Sequence, residues 1–260
     1  MTASTVDTAA LAAELDDAAR EGRLTARPSD RAPITVEQAY DVQRAVFARR
    51  LARGESAAGV KMGFTSRAKM AQMGIDDVIW GLLSTAMRVA DGNVLDASAL
   101  VHPRIEPEIA FRIGHRLSGP VSPEEAARAV DGVCAAYEVL DSRYEGFDFT
   151  LPDVIADNAS AAAFGCGPWH APSADVDLAD LGLRVEIDGQ TAATGSSAAI
   201  LGDPLRSLAA AARLAGAAGT ALEPGHIVLA GAATAAVPLP RGARVRVEAD
   251  RLGCVEAATR

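Results

Sequence analysis

Two carboxylates stand two residues apart in the run Arg104-Ile105-Glu106-Pro107-Glu108-Ile109-Ala110-Phe111. Ile105, Ile109, Phe111 and Ile113 alternate with Glu106, Glu108, Ala110 and Arg112, the period of a half-buried strand. On a strand, Glu106 and Glu108 share one face with their backbones roughly 6–7 Å apart, close enough for both carboxylates to converge on one hard cation. A third acid, Glu138, sits in a second alternating run, Ala136-Tyr137-Glu138-Val139-Leu140-Asp141. The competing reading makes Glu106 and Glu108 the wet face of an antiparallel strand. Pro107 between them marks an edge or a bulge, where sites are often built.

Lys61 is the second group whose setting is unusual. It lies in Gly59-Val60-Lys61-Met62-Gly63, an apolar stretch in which a long cation is out of place, and the flanking glycines suggest close approach of another backbone or a ligand. A buried ammonium must be paired or must lose its proton. Lys61 is therefore either a cation facing a substrate anion or moving a proton, or a surface lysine with its stem laid along apolar neighbours.

Other chemistries find less support. Gly165-Cys166-Gly167-Pro168 lacks the third glycine and the helix start of a dinucleotide loop. There is no Gly-x-Ser-x-Gly elbow, and His102, His115, His170 and His226 are scattered without ligand spacing, His102 alone falling near the two glutamates. Cys134, Cys166 and Cys254 have no metal-type spacing and suit buried thiols in a reducing compartment. Oxygen ligands then point to magnesium or manganese rather than zinc.

The elements that must position these groups follow from length and pattern. The 260 residues, 49% hydrophobic, suffice for a large core. A net charge of −9 with no block of Lys or Arg argues against nucleic acid as a partner. The Ala-rich start is broken by Asp7, Glu14, Asp16 and Asp17, unlike a signal peptide, and no apolar run is long enough to span a bilayer. A soluble, cytoplasmic protein is expected. The first sixty residues read as helical: Thr35 with Gln38 is a capping box, and Ala39, Val42, Val46 and Phe47 follow at helical spacing until Gly54. Ala57 to Phe64 reads as a strand, Ser66 to Met73 as a short helix closed by Gly74, and Ser122-Pro123-Glu124-Glu125 as a helix start. Leu183 to Ile187 with Asp188-Gly189 predicts a hairpin, Asp203-Pro204 opens a last helix, and His226 to Ala230 and Ala243 to Glu248 are closing strands. Many short strands and few long helices predict an α+β, folded-over sheet flanked by helices rather than a doubly wound sheet.

Several blocks resemble the 4-oxalocrotonate decarboxylase and 2-keto-4-pentenoate hydratase family of the fumarylacetoacetate hydrolase superfamily. They are residues 59–66, Lys69-Met70-Ala71-Gln72-Met73-Gly74, residues 104–109, residues 138–144, Ala156-Asp157-Asn158-Ala159-Ser160 and residues 231–238. The likeness runs in order from about Thr35 to the C-terminus. It implies a fumarylacetoacetate-hydrolase-like mixed β-sheet roll with flanking helices: a helical N-terminal region, 1–56, packed on a catalytic roll, 57–260. It implies a Mg²⁺ or Mn²⁺ ion held by Glu106, Glu108 and Glu138, with Lys61 and Ser160 in catalysis. Arg104, Asp141, Arg143 and Thr234 are expected at the substrate, the two arginines as bidentate partners of a second carboxylate or else as structural ion pairs.

The implied reaction is metal-dependent decarboxylation of 2-oxohex-3-enedioate to 2-hydroxypenta-2,4-dienoate and CO₂, in aromatic meta-cleavage catabolism. The alternatives are hydration of that dienoate, C–C hydrolysis of an acylpyruvate, and a non-catalytic partner subunit. Hydratases of the family tend to carry an acid two residues before the glycine matching Gly81. Here that position is Ile79, which removes a water-orienting group and favours the decarboxylase. The expected partners are a small 2-oxo acid, further copies of the chain as a homo-oligomer, and a related hydratase.

Overall fold

A computed structural model describes residues 7–260; the first six residues of the predicted helical region lie outside it. The chain enters through α1 (Thr8–Glu21), a single turn α2 (Pro28–Arg31) and α3 (Val36–Ala52). The capping box forms as read: Gln38 N–H donates to Thr35 Oγ1 (3.2 Å) and Thr35 N–H to Gln38 Oε1 (3.0 Å). Asp16, buried on α1, accepts from Arg49 Nε (2.8 Å) and Arg53 Nη1 (2.6 Å), tying α1 to α3. A buried Gln43 amide bridges the carbonyls of Trp80 and Ile155 and so ties α3 to the rest.

The remainder alternates short strands with turns. In order come β1 (Ala57–Gly63), α4 (Arg67–Met73), β2 (Ile79–Ser84), β3 (Arg88–Val89), β4 (Val94–Leu95) and β5 (Arg104–Ile113). Then follow α5 (Pro123–Arg128), β6 (Val130–Leu140), α6 (Leu151–Ala156) and β7 (Ala161–Cys166). The hairpin β8 (Gly182–Ile187) and β9 (Gln190–Ser196) precedes α7 (Pro204–Ala217). The chain closes with β10 (Ile227–Ala232), β11 (Val237–Pro238), β12 (Arg244–Ala249) and β13 (Gly253–Thr259). The hairpin turn places both Asp188 (φ 52°) and Gly189 (φ 75°) in the left-handed region, as an Asp-Gly two-residue loop should. The large, eight-stranded sheet runs β2-β1-β10-β5-β6-β7-β3, with β11 also pairing β5, and the small sheet runs β4-β13-β12-β8-β9.

The alternation along β5 and β6 decides which face meets what. Ile105, Tyr137 and Val139 face the small sheet, where Val185, Val245, Val247 and Val255 complete a core. Further along, Ile109, Phe111, Ile113 and Val133 pack against α7 through Leu208, Ala211, Ala212 and Ala215. The opposite face carries the acids and Ala110, and it curls inward toward Leu83, Phe164, Ile227 and Leu229. The competing reading of a wet acid face falls here, because the sheet rolls over that face of β5. Of the two settings expected for Pro107, the edge is excluded, since β5 lies between β10 and β6; Pro107 sits beside the irregularity where the β10 register breaks and β11 takes over as neighbour. Cys134 and Cys166 are buried and Cys254 is half-buried, all as free thiols.

The N-terminal helices cover one side of the roll. Leu15, Val42 and Val46 pack with Ile79, Tyr144, Val154 and Ile155 from β2, α6 and the preceding loop. Among the described residues no helix is long and apolar enough to cross a membrane.

β1 pairs in parallel with β10, opposite Ile227, through Gly59. Gly59 has φ +140°, and a Cβ there would lie 1.8 Å from the Ile227 carbonyl oxygen. Gly59→Ala should therefore force β1 and β10 apart and cost about 3 kcal/mol or more, a fall in Tm of roughly 6–12 °C. An unchanged thermal midpoint would show that the two strands can separate without loss.

Candidate metal and substrate site

The register of β5 with β6 sets Glu106 directly opposite Glu138, with Glu108 one step further along the same face. One oxygen from each of the three carboxylates lies within 4.8 Å of the others. Glu108 and Glu138 are 0% and 1% exposed, so water does not separate the charges. Lys61 reaches them from β1, although β10 and β5 lie between β1 and β6. In a flat sheet those two strands would be roughly 14 Å apart. The roll brings Lys61 Nζ to 3.0 Å from Glu138 Oε1, and it donates to Oε2 at 3.2 Å. Lys61 is 3% exposed, which removes the surface-lysine reading.

The electrostatics follow from this crowding. Burial, then the Glu138 charge, pushes Glu106 up to about 7, with Lys61 pulling the other way. Burial, then Glu138 and Glu106, raises Glu108 further, and the Gly231 N–H donating to Glu108 Oε2 at 2.6 Å opposes the shift only in part. Burial also raises Glu138, against Lys61. Gly231 can approach because it is a glycine: its φ is +112°, and a Cβ would strike the Thr65 side chain at 2.1 Å.

Two oxygens of this cluster remain unsatisfied. Glu108 Oε1 has no protein donor, and Glu138 Oε1 accepts no aligned hydrogen bond. Buried carboxylate oxygens, one with no donor among the described residues and one facing only the Lys61 ammonium, fit a hard divalent cation that prefers oxygen ligands. No histidine or cysteine joins the group, which suits Mg²⁺ or Mn²⁺ better than Zn²⁺.

Glu106 opens onto a cavity of about 770 Å³. Its wall includes Lys61, Arg104, Ser160 and Thr234 among the expected groups, with Ile79, Leu140, Phe147 and Phe149 making it largely apolar. Ile79 thus stands at the cavity surface where a relative with an acid would place a charge. Ser160 is held in an unusual backbone. Asn158, Ala159 and Ser160 have φ of 51°, 52° and 59°, three successive non-glycine residues in the left-handed region. Such strain persists only where surroundings impose it. Here the Asn158 side chain clamps β2, accepting from Leu82 N–H (2.8 Å) and donating to Leu82 C=O (2.9 Å). The Asp141 N–H donates to Ser160 C=O at 2.9 Å. The Ser160 hydroxyl is left buried at the cavity wall without a protein partner.

Two residues expected at the substrate are bound to protein instead. Arg143 is paired with Asp157, its Nε on Oδ1 and its Nη2 donating to the Asp157 carbonyl (2.7 Å). It is buried and does not line the cavity, so it anchors the strained 158–160 turn. Asp141 accepts from the N–H groups of Val101 (3.0 Å) and His102 (2.9 Å), fixing the chain as it enters β5. His102 does not join the glutamates; its ring packs against Phe147 at 4.7 Å between centroids. Asn158 and Phe147 were not singled out from the sequence. Asn158 lies within the family-like block 156–160 and Phe147 outside all of the blocks, and nothing in their spacing signals a clamp or a cavity wall.

The geometry has clear counterparts among known proteins. The model of the fumarylacetoacetate (FAA) hydrolase C-terminal family matches residues 46–259. A 4-oxalocrotonate decarboxylase of a Pseudomonas species is 51% identical over 249 residues, 96% of each chain. The 2-keto-4-pentenoate hydratase 1 of Dechloromonas aromatica is 34% identical over 98% of each chain. The solved structure of 4-oxalocrotonate decarboxylase from Pseudomonas putida G7, complexed with magnesium and adipate, superposes with a TM-score of 0.94 at 39% identity. It covers 100% of this chain and 99% of that one. Sequence, rolled sheet and carboxylate cluster together place the chain in the fumarylacetoacetate hydrolase superfamily, within its 4-oxalocrotonate decarboxylase and 2-keto-4-pentenoate hydratase family.

Proposed function

We propose that the chain is a Mg²⁺- or Mn²⁺-dependent decarboxylase of 2-oxohex-3-enedioate or a close analogue, giving 2-hydroxypenta-2,4-dienoate and CO₂. The observation that carries this reading is the Glu106–Glu108–Glu138 cluster, buried at Glu108 and Glu138 and under-supplied with donors, which opens through Glu106 onto a cavity whose wall is apolar at Ile79. Glu106, Glu108 and Glu138 would hold the metal. Bound there, it supplies a Lewis acid for the 2-oxo acid end of the substrate.

The chain's own groups do the rest. The C5–C6 bond of the enedioate breaks and C6 leaves as CO₂. The released pair forms C4=C5, the C3=C4 pair moves to C2=C3, and the C2 oxygen gains the negative charge and then one proton. Lys61, buried 3.0 Å from Glu138 and exposed to the cavity, is placed to offset that charge and to deliver the proton. Ser160 offers its free hydroxyl to the same end of the substrate. Ile79, Leu140, Phe149 and Val154 keep water from the distal carbons, so expulsion of neutral CO₂ is favoured over addition of water.

Of the N-terminal region 1–56, the described helices from Thr8 to Ala52 serve as a cover over a catalytic roll of 57–260. A cytoplasmic homo-oligomer, working beside a hydratase relative that consumes the dienoate, fits this chemistry.

The deciding comparison is kcat/KM for 2-oxohex-3-enedioate and for 2-hydroxypenta-2,4-dienoate under identical Mg²⁺. The enedioate should be consumed far faster; faster hydration of the dienoate would make the chain a hydratase. Lys61→Met should lower kcat by about 10²- to 10⁴-fold while the protein stays folded. Unchanged kcat and KM would return Lys61 to a structural role.

Proton linkage gives a test independent of turnover. With Glu106 raised to about 7 and Glu108 raised as well, the metal-free fold holds protons that the unfolded chain has already released. That contribution to stability is present at low pH and is lost as pH rises through about 7. Metal binding must expel the same protons, so the rise in Tm at a fixed free Mg²⁺ concentration should grow between about pH 5.5 and 7.5. Glu108→Gln should remove most of that increment. A pH-independent increment would speak against these carboxylates as the ligands.

A further inference from the structure

We propose that Arg104, laid on the ring of Phe147, receives the distal carboxylate of the substrate and selects six-carbon diacids over monoacids. The substrate's identity rests on the decarboxylase reading; the subsite itself rests on geometry.

Of the two arginines whose chemistry suits a second carboxylate, Arg143 is fully engaged by Asp157. Arg104 is not. Among the described residues no carboxylate lies within ion-pair distance of its guanidinium, and no carbonyl accepts from it. It lines the cavity, and its Cζ stands 4.3 Å from the centroid of the Phe147 ring. A guanidinium stacked on an aromatic face keeps its in-plane N–H donors free, and these match the two oxygens of a carboxylate.

The spacing measures the ligand. Arg104, Glu106 and Glu108 follow one another on the same face of β5. Arg104 is thus two residues along β5 from Glu106, a separation of about 6.8 Å at the backbone. Five C–C bonds in an extended six-carbon diacid separate its terminal carbons by roughly 6.3 Å. A six-carbon diacid is therefore of a length that matches the step along β5 from the carboxylate cluster to Arg104, and both Glu106 and Arg104 line the cavity.

Phe147 is held for this position. It has φ 59°, a left-handed conformation that a bulky residue adopts only under constraint, and it follows Gly146 at φ 63°. His102 packs against the ring at 4.7 Å and Phe149 approaches it at 6.5 Å, edge on. The nearby acid Asp148 does not compete for Arg104, because Arg27 Nη1 holds it at 2.8 Å. Of the other cations at the cavity, Lys61 is held by Glu138 at the carboxylate cluster, and Lys69 is exposed on α4, where water screens it. A stacked guanidinium also suits a carboxylate that must depart: it attracts the anion in the ground state and has no hold on neutral CO₂.

The test uses adipate and hexanoate, equal in length but with two carboxylates and one, binding to the Mg²⁺-loaded protein by calorimetry. Wild type should prefer adipate. Arg104→Gln should weaken adipate by about 10- to 100-fold and leave hexanoate and Mg²⁺ within about twofold. Phe147→Leu, which keeps the cation but removes its platform, should weaken adipate by a smaller factor, and Lys69→Gln should have little effect. With 2-oxohex-3-enedioate, Arg104→Gln should raise KM by a similar factor and change kcat less. The proposal is overturned if wild type fails to prefer adipate, if Arg104→Gln weakens both acids alike, or if Lys69→Gln removes the preference instead. If the preference depends on Arg104 but the enedioate is not turned over, the decarboxylase reading fails and the subsite stands.

Discussion

Three carboxylates that have lost their water and face one another across two strands repel strongly, and most of this fold can be understood as the frame that holds them there regardless. Desolvation and like charge both drive Glu106, Glu108 and Glu138 toward the protonated form. The contacts opposing them are the Lys61 ammonium and one backbone N–H, from Gly231, while Lys69 and Arg104 attract Glu106 from further off. Neither contact suffices to satisfy every oxygen, and that deficit is what suits the cluster to the proposed cation. A site of this kind cannot stabilise the metal-free protein. Its position is imposed by the apolar packing on the reverse face of β5 and β6, where Ile105, Tyr137 and Val139 meet the small sheet.

The same division of labour runs through the cavity. Charged groups that look functional by type divide into those paired with protein and those left open. Asp141 and Arg143 are consumed in shaping the backbone: one fixes the entry to β5, the other the turn that carries Ser160. Arg104, Ser160 and the cluster oxygens are open. Strain is concentrated where open groups need to be aimed, at residues 158–160 and at Phe147. Distant elements sustain it, since Asn158 clamps β2 and α3 reaches both β2 and α6 through Gln43.

Specificity within the family then depends on a few side chains around a shared metal chemistry. On the proposed reading, a cluster of carboxylates and a lysine would serve a decarboxylase and a hydratase equally, because both need an electron sink at the 2-oxo end, and the far end of the cavity would distinguish them. Ile79 leaves no charged group to orient water there, and the cavity wall beside it is hydrocarbon and aromatic ring.

The sequence by itself determined the local periods, the helix caps, the Asp-Gly hairpin and the identity of the acids, because each depends on neighbours close along the chain. Thr35 with Gln38, Ser66, Ser122 and Asp203 cap the helices where they were read. It did not reveal β7 or β13, whose Ala- and Gly-rich stretches become strands only through pairing with β6 and β12. Nor could period alone tell a wet face from an enclosed one, since polarity alternates identically in both. That choice was made by the roll of the large sheet, which closes over Glu106 and Glu108 and brings Lys61 across two intervening strands. Tertiary structure likewise sorted the two arginines, for no residue spacing predicts that Asp157 takes Arg143 and leaves Arg104 free. Residue types are fixed locally, but whether a charge is paired, buried or open depends on contacts between segments far apart in the chain.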